Sequence, residues 1–132
     1  VDHFKRINDE HGHDAGDQAL RAVADVLRRE VRSQDVVYRY GGEEFCVVLA
    51  DTTTTEAGQV AERMRFAVSR MALACDQPLT VSIGVALGKG AHVTQTMRRA
   101  DEALFKSKDG GRDRVTLAPQ PLLGPLAVSH PS

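Results

Sequence analysis

The sequence predicts a mixed domain of the α/β (α+β) class, with helices packed on a sheet. Apolar residues recur at helical spacing in three separate stretches, beginning near residues 16, 54 and 94. Two runs rich in β-branched and aromatic residues, 36–40 and 45–50, flank Gly41-Gly42 and read as a hairpin. Residues 81–87 alternate between large and small side chains, the period-two pattern of a strand with one face in the core. The predicted order is helix, hairpin, helix, strand, helix, strand.

Each element has its own signals. Across residues 16–31, Leu20, Val23, Ala24, Leu27 and Val31 form one apolar stripe. Asp17 stands at the expected start of that helix, where it can satisfy first-turn N–H groups or turn towards a ligand beside them. After the hairpin, Thr53 and Glu56 have capping-box spacing. Ala57, Val60, Ala61, Met64, Val68 and Met71 then mark a buried face, and Pro78 closes the connection that follows. In the alternating strand, Gly84 leaves room for close approach. Thr94 is the expected cap of a third helix whose Met97, Ala100, Ala103, Leu104 and Phe105 face inward. Gly110-Gly111 ends it ahead of a short strand at 114–117. From Ala118 onward, Pro and Ser without periodicity predict a disordered tail, so the domain is placed at 1–117 and the tail at 118–132.

The 132 residues are 42% hydrophobic, enough for one domain with a core. Seventeen Lys+Arg against eighteen Asp+Glu leave a formal charge of -1, which excludes the broad basic field of nonspecific nucleic-acid binding. Any anion site is therefore local. Cys46 and Cys75 have no CxxC spacing and read as reduced packing residues, which suits a cytoplasmic setting. No apolar run approaches the roughly 20 residues needed to span a bilayer, and the start of the chain lacks a signal-peptide pattern.

The chemistry concentrates at Gly41-Gly42-Glu43-Glu44-Phe45, two glycines and two carboxylates at the expected hairpin tip. Taken alone, Gly41–Glu44 reads as a solvated turn. The flanks alter that reading: Asp2-His3-Phe4-Lys5-Arg6-Ile7-Asn8-Asp9 and Gly12-His13-Asp14-Ala15-Gly16-Asp17 precede it, while Ala61-Glu62-Arg63, Val81-Ser82-Ile83-Gly84-Val85 and Lys106-Ser107-Lys108-Asp109-Gly110-Gly111-Arg112 follow. Together, from Val1 to about Val115, these motifs resemble the GGDEF family of diguanylate cyclases in its GGEEF form.

The resemblance implies a mostly antiparallel central sheet of the nucleotide-cyclase or palm-like kind. It also implies that two GTP molecules are joined into cyclic di-GMP with release of pyrophosphate, each domain of a homodimer holding one GTP. Glu43 matches a metal-binding acid also proposed to help deprotonate the attacking hydroxyl, and Glu44 adds negative charge for Mg²⁺ or Mn²⁺. Gly41 and Gly42 admit the triphosphate close to the backbone. Lys5 matches a position assigned to transition-state stabilisation, and Lys108 and Arg112 match a phosphate-contacting pair, although helix C-termini attract basic residues for dipole reasons as well. Asn8 and Asp17 match the readers of guanine, whose N1–H and N2–H₂ donors suit a carboxylate and an amide. His13 is either a substrate contact or a brace for its loop. His3, His11 and His92 lack metal-ligand spacing and read as surface residues.

Arg32 and Asp35 form an RxxD at the spacing of the family's product-inhibition site, with Arg63 in the position that completes it. By itself, RxxD is a weak motif that usually marks a solvated pair. Two departures stand out. Family members begin with a helix and a central strand ending in Asp-x-Asp-x-Phe-Lys, and this chain opens at Val1, which matches the residue offering a backbone carbonyl to metal. The first helix, the first strand and the leading Asp of that motif are thus absent. The expectation is a fragment of a longer protein, impaired in metal binding and in folding alone, whose parent carries an upstream sensor and can be membrane-anchored. Phe105 stands where the family usually has Tyr, a mild change. The alternative function is a catalytically inactive module that binds GTP or cyclic di-GMP as a receptor.

Overall fold

The computed structural model describes residues 1–71 and 79–119. The connection holding Cys75 and Pro78, and the tail from residue 120 onward, lie outside the described residues. In chain order the elements are α1 (Phe4–His11), α2 (His13–Arg29), β1 (Val36–Arg39), β2 (Phe45–Val48), α3 (Thr54–Ser69), β3 (Ile83–Val85), a 3₁₀ turn (Gly90–His92), α4 (Val93–Asp109) and β4 (Val115–Leu117).

Helix α1 forms where the sequence pattern predicts none. Only Phe4 and Ile7 are apolar among its eight residues, too few to show a period, yet Ile7 is buried in the core. Gly12, at φ 89°, turns the chain between α1 and α2 in a conformation other residues resist. Gly16 then lets the two helices close on each other, since a Cβ there would sit 3.1 Å from Phe4 Cζ. Because α2 already starts at His13, Asp17 lies one turn inside it and caps nothing. The buried face of α2 comprises Ala19, Leu20, Val23, Ala24, Val26 and Leu27.

Thr53 behaves as expected: its hydroxyl oxygen accepts from the Glu56 N–H at 3.1 Å and faces the Glu56 carboxylate at 3.0 Å. Helix α4 differs from expectation at two points. It starts at Val93 after an uncapped His92, which leaves Thr94 inside the first turn. Phe105 is 68% exposed, while the neighbouring stripe through Ala103 and Ser107 is buried. The reason is proximity: a Cβ at Gly84 would fall 2.2 Å from the Ala100 carbonyl oxygen, so only small residues fit where α4 crosses β3. Ser107 uses that closeness by donating to the Ile83 carbonyl at 2.9 Å.

β1 and β2 pair antiparallel, with Val36 opposite Val48 and Arg39 opposite Phe45. β3 and β4 pair parallel, Ile83 opposite Val115, because α4 carries the chain back across before β4 begins. Among the described residues the pairing is thus mixed, with one antiparallel ladder and one parallel. Residues 1 and 2 lie between the two ladders. The Val1 ammonium donates to the Glu43 carbonyl at 3.0 Å, and the Asp2 N–H donates to the Thr80 carbonyl at 3.0 Å.

The core gathers Ile7, Val23, Val26, Leu27, Met64, Val68, Leu79 and Val81, with Val37, Phe45 and Val47 packed on it from the hairpin. Each such side chain stabilises the fold by about 1.5–3 kcal/mol relative to exposure. The opposite face of the hairpin bears the exposed Val36, Tyr38 and Val48. Cys46, a free thiol on β2, packs 3.9 Å from the Met97 sulfur of α4, the packing role expected of it. Among the described residues no helix is long and apolar enough to cross a membrane.

Candidate active site

The hairpin tip is built by backbone hydrogen bonds. Tyr40 and Gly41 both donate to the Glu44 carbonyl, at 2.9 and 3.3 Å, which throws Gly42 and Glu43 outward. Arg39 braces the loop from below, its Nε donating to the Gly41 and Gly42 carbonyls at 3.1 and 3.0 Å. Gly42 faces open space, with nothing within 4 Å of where a Cβ would stand, and Gly41 meets only Glu44 Cβ at 3.9 Å. The Glu43 side chain is exposed and that of Glu44 half-buried.

Several charges converge on Val1. Burial depresses the pKa of its ammonium, Lys108 adds to that depression, and Asp2, Glu43 and Glu44 oppose it. The Val1 bond to the Glu43 carbonyl and the Asp113 N–H bond to the Asp2 carboxylate join the loop after α4 to the carboxylate tip through residues 1 and 2. Asp2 itself is 5% exposed and fully engaged. Its carboxylate accepts from the Thr80 hydroxyl at 2.7 Å, the Ser82 hydroxyl at 2.6 Å and the Asp113 N–H at 3.1 Å. Burial pushes its carboxyl up, but these hydrogen bonds outweigh burial and hold the pKa below the ordinary carboxylate value. Asp2 thus ties residues 80–82 to the loop after α4.

That loop is strained. Arg112 and Asp113 adopt φ 64° and 48°, left-handed values that cost a non-glycine residue roughly 1–2 kcal/mol each. Arg112 donates its N–H to the Ser107 carbonyl at 2.9 Å and leaves its side chain exposed.

On α1, Lys5 is exposed and Asn8 half-buried. The Asn8 amide lies directly over Gly16, its Oδ1 only 1.8 Å from where a Cβ would be, which puts it beside the residue preceding Asp17. Asp17 and His13 are exposed on α2. His3, His11 and His92 are exposed, in keeping with surface roles.

The Arg32, Asp35 and Arg63 group lies at the other end of β1 from the tip, across the four residues of that strand, or roughly 13 Å. Arg32 and Asp35 are paired with each other at 3.3 Å, and Arg32 also donates to the Ala50 carbonyl and the Thr52 hydroxyl. Arg63 donates to the Glu30 carboxylate at 3.2 Å, two residues before Arg32. The Asp35 side chain is 2% exposed and accepts from the Ala50 and Arg32 N–H groups, both at 2.9 Å. Burial raises its pKa, and these hydrogen bonds with the Arg32 charge more than reverse that, leaving it below the ordinary value. A depressed carboxylate stabilises the fold above its unfolded pKa, and that contribution is lost as pH falls through the folded value. Denaturant midpoints should therefore drop below about pH 4, and Asp35→Asn should shrink that drop. An identical acid limb in the variant would remove Asp35 from the account.

Three residues that the sequence pattern does not single out shape this region: Arg39, Gly16 and Arg65, the last donating to Asp113 Oδ1 at 2.8 Å. Arg39, directly before Tyr40-Gly41-Gly42, is the most visible of the three in the sequence.

Comparison with known proteins shows the family. The family model described as "Diguanylate cyclase, GGDEF domain" matches residues 1–114. Diguanylate cyclase DgcP of Pseudomonas aeruginosa is 43% identical over 127 residues, a match covering 89% of this chain and 18% of that protein. Diguanylate cyclase A of Treponema denticola is 42% identical over 123 residues, covering 89% of this chain and 33% of that protein. The chain therefore spans only about a fifth to a third of the length of these curated relatives. Among solved structures, the active GGEEF domain of a diguanylate cyclase from Vibrio cholerae superposes with a TM-score of 0.84 at 33% identity, covering 92% of this chain and 80% of that one. The GGDEF domain of DgcB from Caulobacter crescentus, solved in complex with c-di-GMP, gives a TM-score of 0.83 at 39% identity, covering 89% and 73%. Matched by that family model over residues 1–114, the greater part of its length, this chain belongs to the GGDEF family of diguanylate cyclase domains.

Proposed function

We propose that this domain, residues 1–117, condenses two GTP molecules into cyclic di-GMP and releases pyrophosphate, two copies meeting face to face so that each presents one nucleotide. The observation that carries the reading is the join of the carboxylate tip to the loop after α4 through residues 1 and 2, Val1 donating to the Glu43 carbonyl and Asp113 to the Asp2 carboxylate, beside glycines that face open space. Acidic groups on the tip and basic groups on the end of α4 suit a triphosphate with its cation.

The donor set fits Mg²⁺ or Mn²⁺. Carboxylate oxygens of Glu43 and Glu44 and the Val1 carbonyl are hard donors, and among the described residues no three His, Cys, Asp or Glu side chains form a closed cage. Mg²⁺ held by one or two carboxylates plus substrate phosphates needs no such cage. When bound, the cation neutralises charge on the phosphates. Lys108 and Arg112 would hold the phosphate oxygens, with Lys5 supplying positive charge to the transition state. Glu43 also serves as the base for the attacking 3′-hydroxyl.

Asn8 and Asp17 read the guanine edge, with His13 bordering the same site. Adenine lacks the donors that their acceptors require, so ATP should be rejected. The chain incubated with Mg²⁺ and GTP should yield cyclic di-GMP by chromatography, and no condensed product from ATP. Equal turnover of ATP would sink the guanine assignment.

Gly16→Ala sharpens that test. Its Cβ would collide with the end of the Asn8 side chain, which can swing away, and would press Phe4 Cζ back by a few tenths of an ångström, a cost that the gain of up to about 1 kcal/mol from Ala in the helix offsets. The expected result is unchanged thermal stability with a KM for GTP raised roughly 5–10-fold, the equivalent of one hydrogen bond. A KM within twofold of the parent would detach Asn8 from nucleotide binding. We further propose that Arg32, Asp35 and Arg63 form a second site for the product, on the strand end remote from the tip, where bound cyclic di-GMP slows turnover.

A further inference from the structure

We propose that Arg65, on helix α3, is a positioning residue for the phosphate-binding loop, acting through Asp113 on Arg112; this rests on the assignment of Arg112 to phosphate contact. Arg65 spans two partners: its Nε reaches the Glu62 carboxylate at 2.9 and 3.0 Å, and its Nη1 donates to Asp113 Oδ1 at 2.8 Å. With only 19% of its side chain exposed, the guanidinium is held in place by α3 rather than free in solvent.

Asp113 is gripped from its other side as well, its N–H donating to buried Asp2 at 3.1 Å. The amide so held belongs to the peptide unit joining Arg112 to Asp113, and Asp2 is the neighbour of Val1, which contacts the Glu43 carbonyl at 3.0 Å. The clamp thus joins α3, the carboxylate tip and the loop through a short series of hydrogen bonds. Two consecutive left-handed residues, Arg112 and Asp113, do not hold that conformation by local preference. Asp2 fixes the backbone and Arg65 fixes the side chain, and between them they set the direction in which Arg112 leaves the loop. Without Arg65 the loop relaxes towards ordinary φ values and Arg112 loses its aim.

The test compares equilibrium affinities for GTP and GMP, because a weaker grip on the second and third phosphates lowers the affinity for GTP alone. In the whole chain, Arg112→Ala and Arg65→Gln should each lower the GTP-to-GMP affinity ratio about tenfold, the size of a charge-assisted hydrogen bond. GMP affinity should be unchanged, and the double variant should be no worse than either single one. Arg65→Lys, which keeps the charge, should recover part of the loss. If Arg112→Ala lowers the ratio while Arg65→Gln leaves it at the parent value, the positioning role is overturned and the assignment of Arg112 stands. Additive losses in the double variant overturn it too, because Arg65 would then act separately. No effect of Arg112→Ala removes the phosphate assignment and this inference together. Should Arg65→Gln unfold, Asp113→Asn tests the same link, keeping the N–H bond to Asp2 while discarding the ion pair.

Discussion

Glu43→Gln should lower the rate of cyclic di-GMP formation on the order of 10²–10³-fold or more, the loss that follows removal of one electrostatic contact made to a transition state. The substitution preserves shape and deletes charge. The Glu43 side chain is exposed, and its structural contact is through the backbone, where the carbonyl accepts from Val1 at 3.0 Å. Thermal unfolding should therefore stay within about 0.5 kcal/mol of the parent, as for other exposed positions. The loss should appear in kcat, and raising Mg²⁺ should recover only the part that comes from weakened cation binding. Glu44 is half-buried and its carbonyl closes the turn, so Glu44→Gln changes packing at the tip as well as charge. Turnover by Glu43→Gln equal to the parent, with product identified by chromatography, would take that carboxylate out of the mechanism.

Much of this is legible in the sequence because the signals are local. Thr53 and Glu56 announce a helix start through a contact three residues apart, and Gly41-Gly42 between apolar runs announces a hairpin. What escapes depends on contacts between distant segments. Helix α1 has too few apolar residues to show a period, and it persists because Ile7 reaches a core built by α2 and α3. Phe105 reads as core by hydropathy, but the nearness of β3 to α4 admits only the Ala103 and Ser107 side of that helix. At the site, the carboxylate tip and the basic turn are visible as motifs, each within a few residues. Asp2 stands out in the sequence by resemblance alone, while its three hydrogen bonds reach residues 78, 80 and 111 positions away. No spacing rule reports such contacts. Arg65 is hidden for the same reason, its partner Asp113 lying 48 positions on.

Gly84→Ala should cause the largest loss of stability among single-methyl additions to this domain. Its Cβ would stand 2.2 Å from the Ala100 carbonyl oxygen and 2.3 Å from the Leu104 nitrogen, both backbone atoms of α4 that no rotamer change can move. The helix as a whole must retreat from β3, which loosens the Ser107 bond to the Ile83 carbonyl and the hydroxyl pair of Ser107 with Thr116, 2.9 and 2.7 Å in the parent. Overpacking of this kind costs about 1–3 kcal/mol, and backbone on both sides places this case at the upper end. For a domain of this size that is a fall in Tm of roughly 6–15 °C. Gly42→Ala provides the contrast, because nothing lies within 4 Å of its Cβ and no such loss should follow. The two variants separate roles that a shared residue type conceals. Gly84 sets the distance between a strand and the helix bearing Lys108, so its loss should weaken both folding and GTP binding; Gly42 keeps the tip open, so its substitution should weaken nucleotide binding while leaving Tm alone. Equal melting temperatures for Gly84→Ala and the parent would mean that α4 is not seated against β3 at this distance, and Gly84 would lose its part in positioning Lys108.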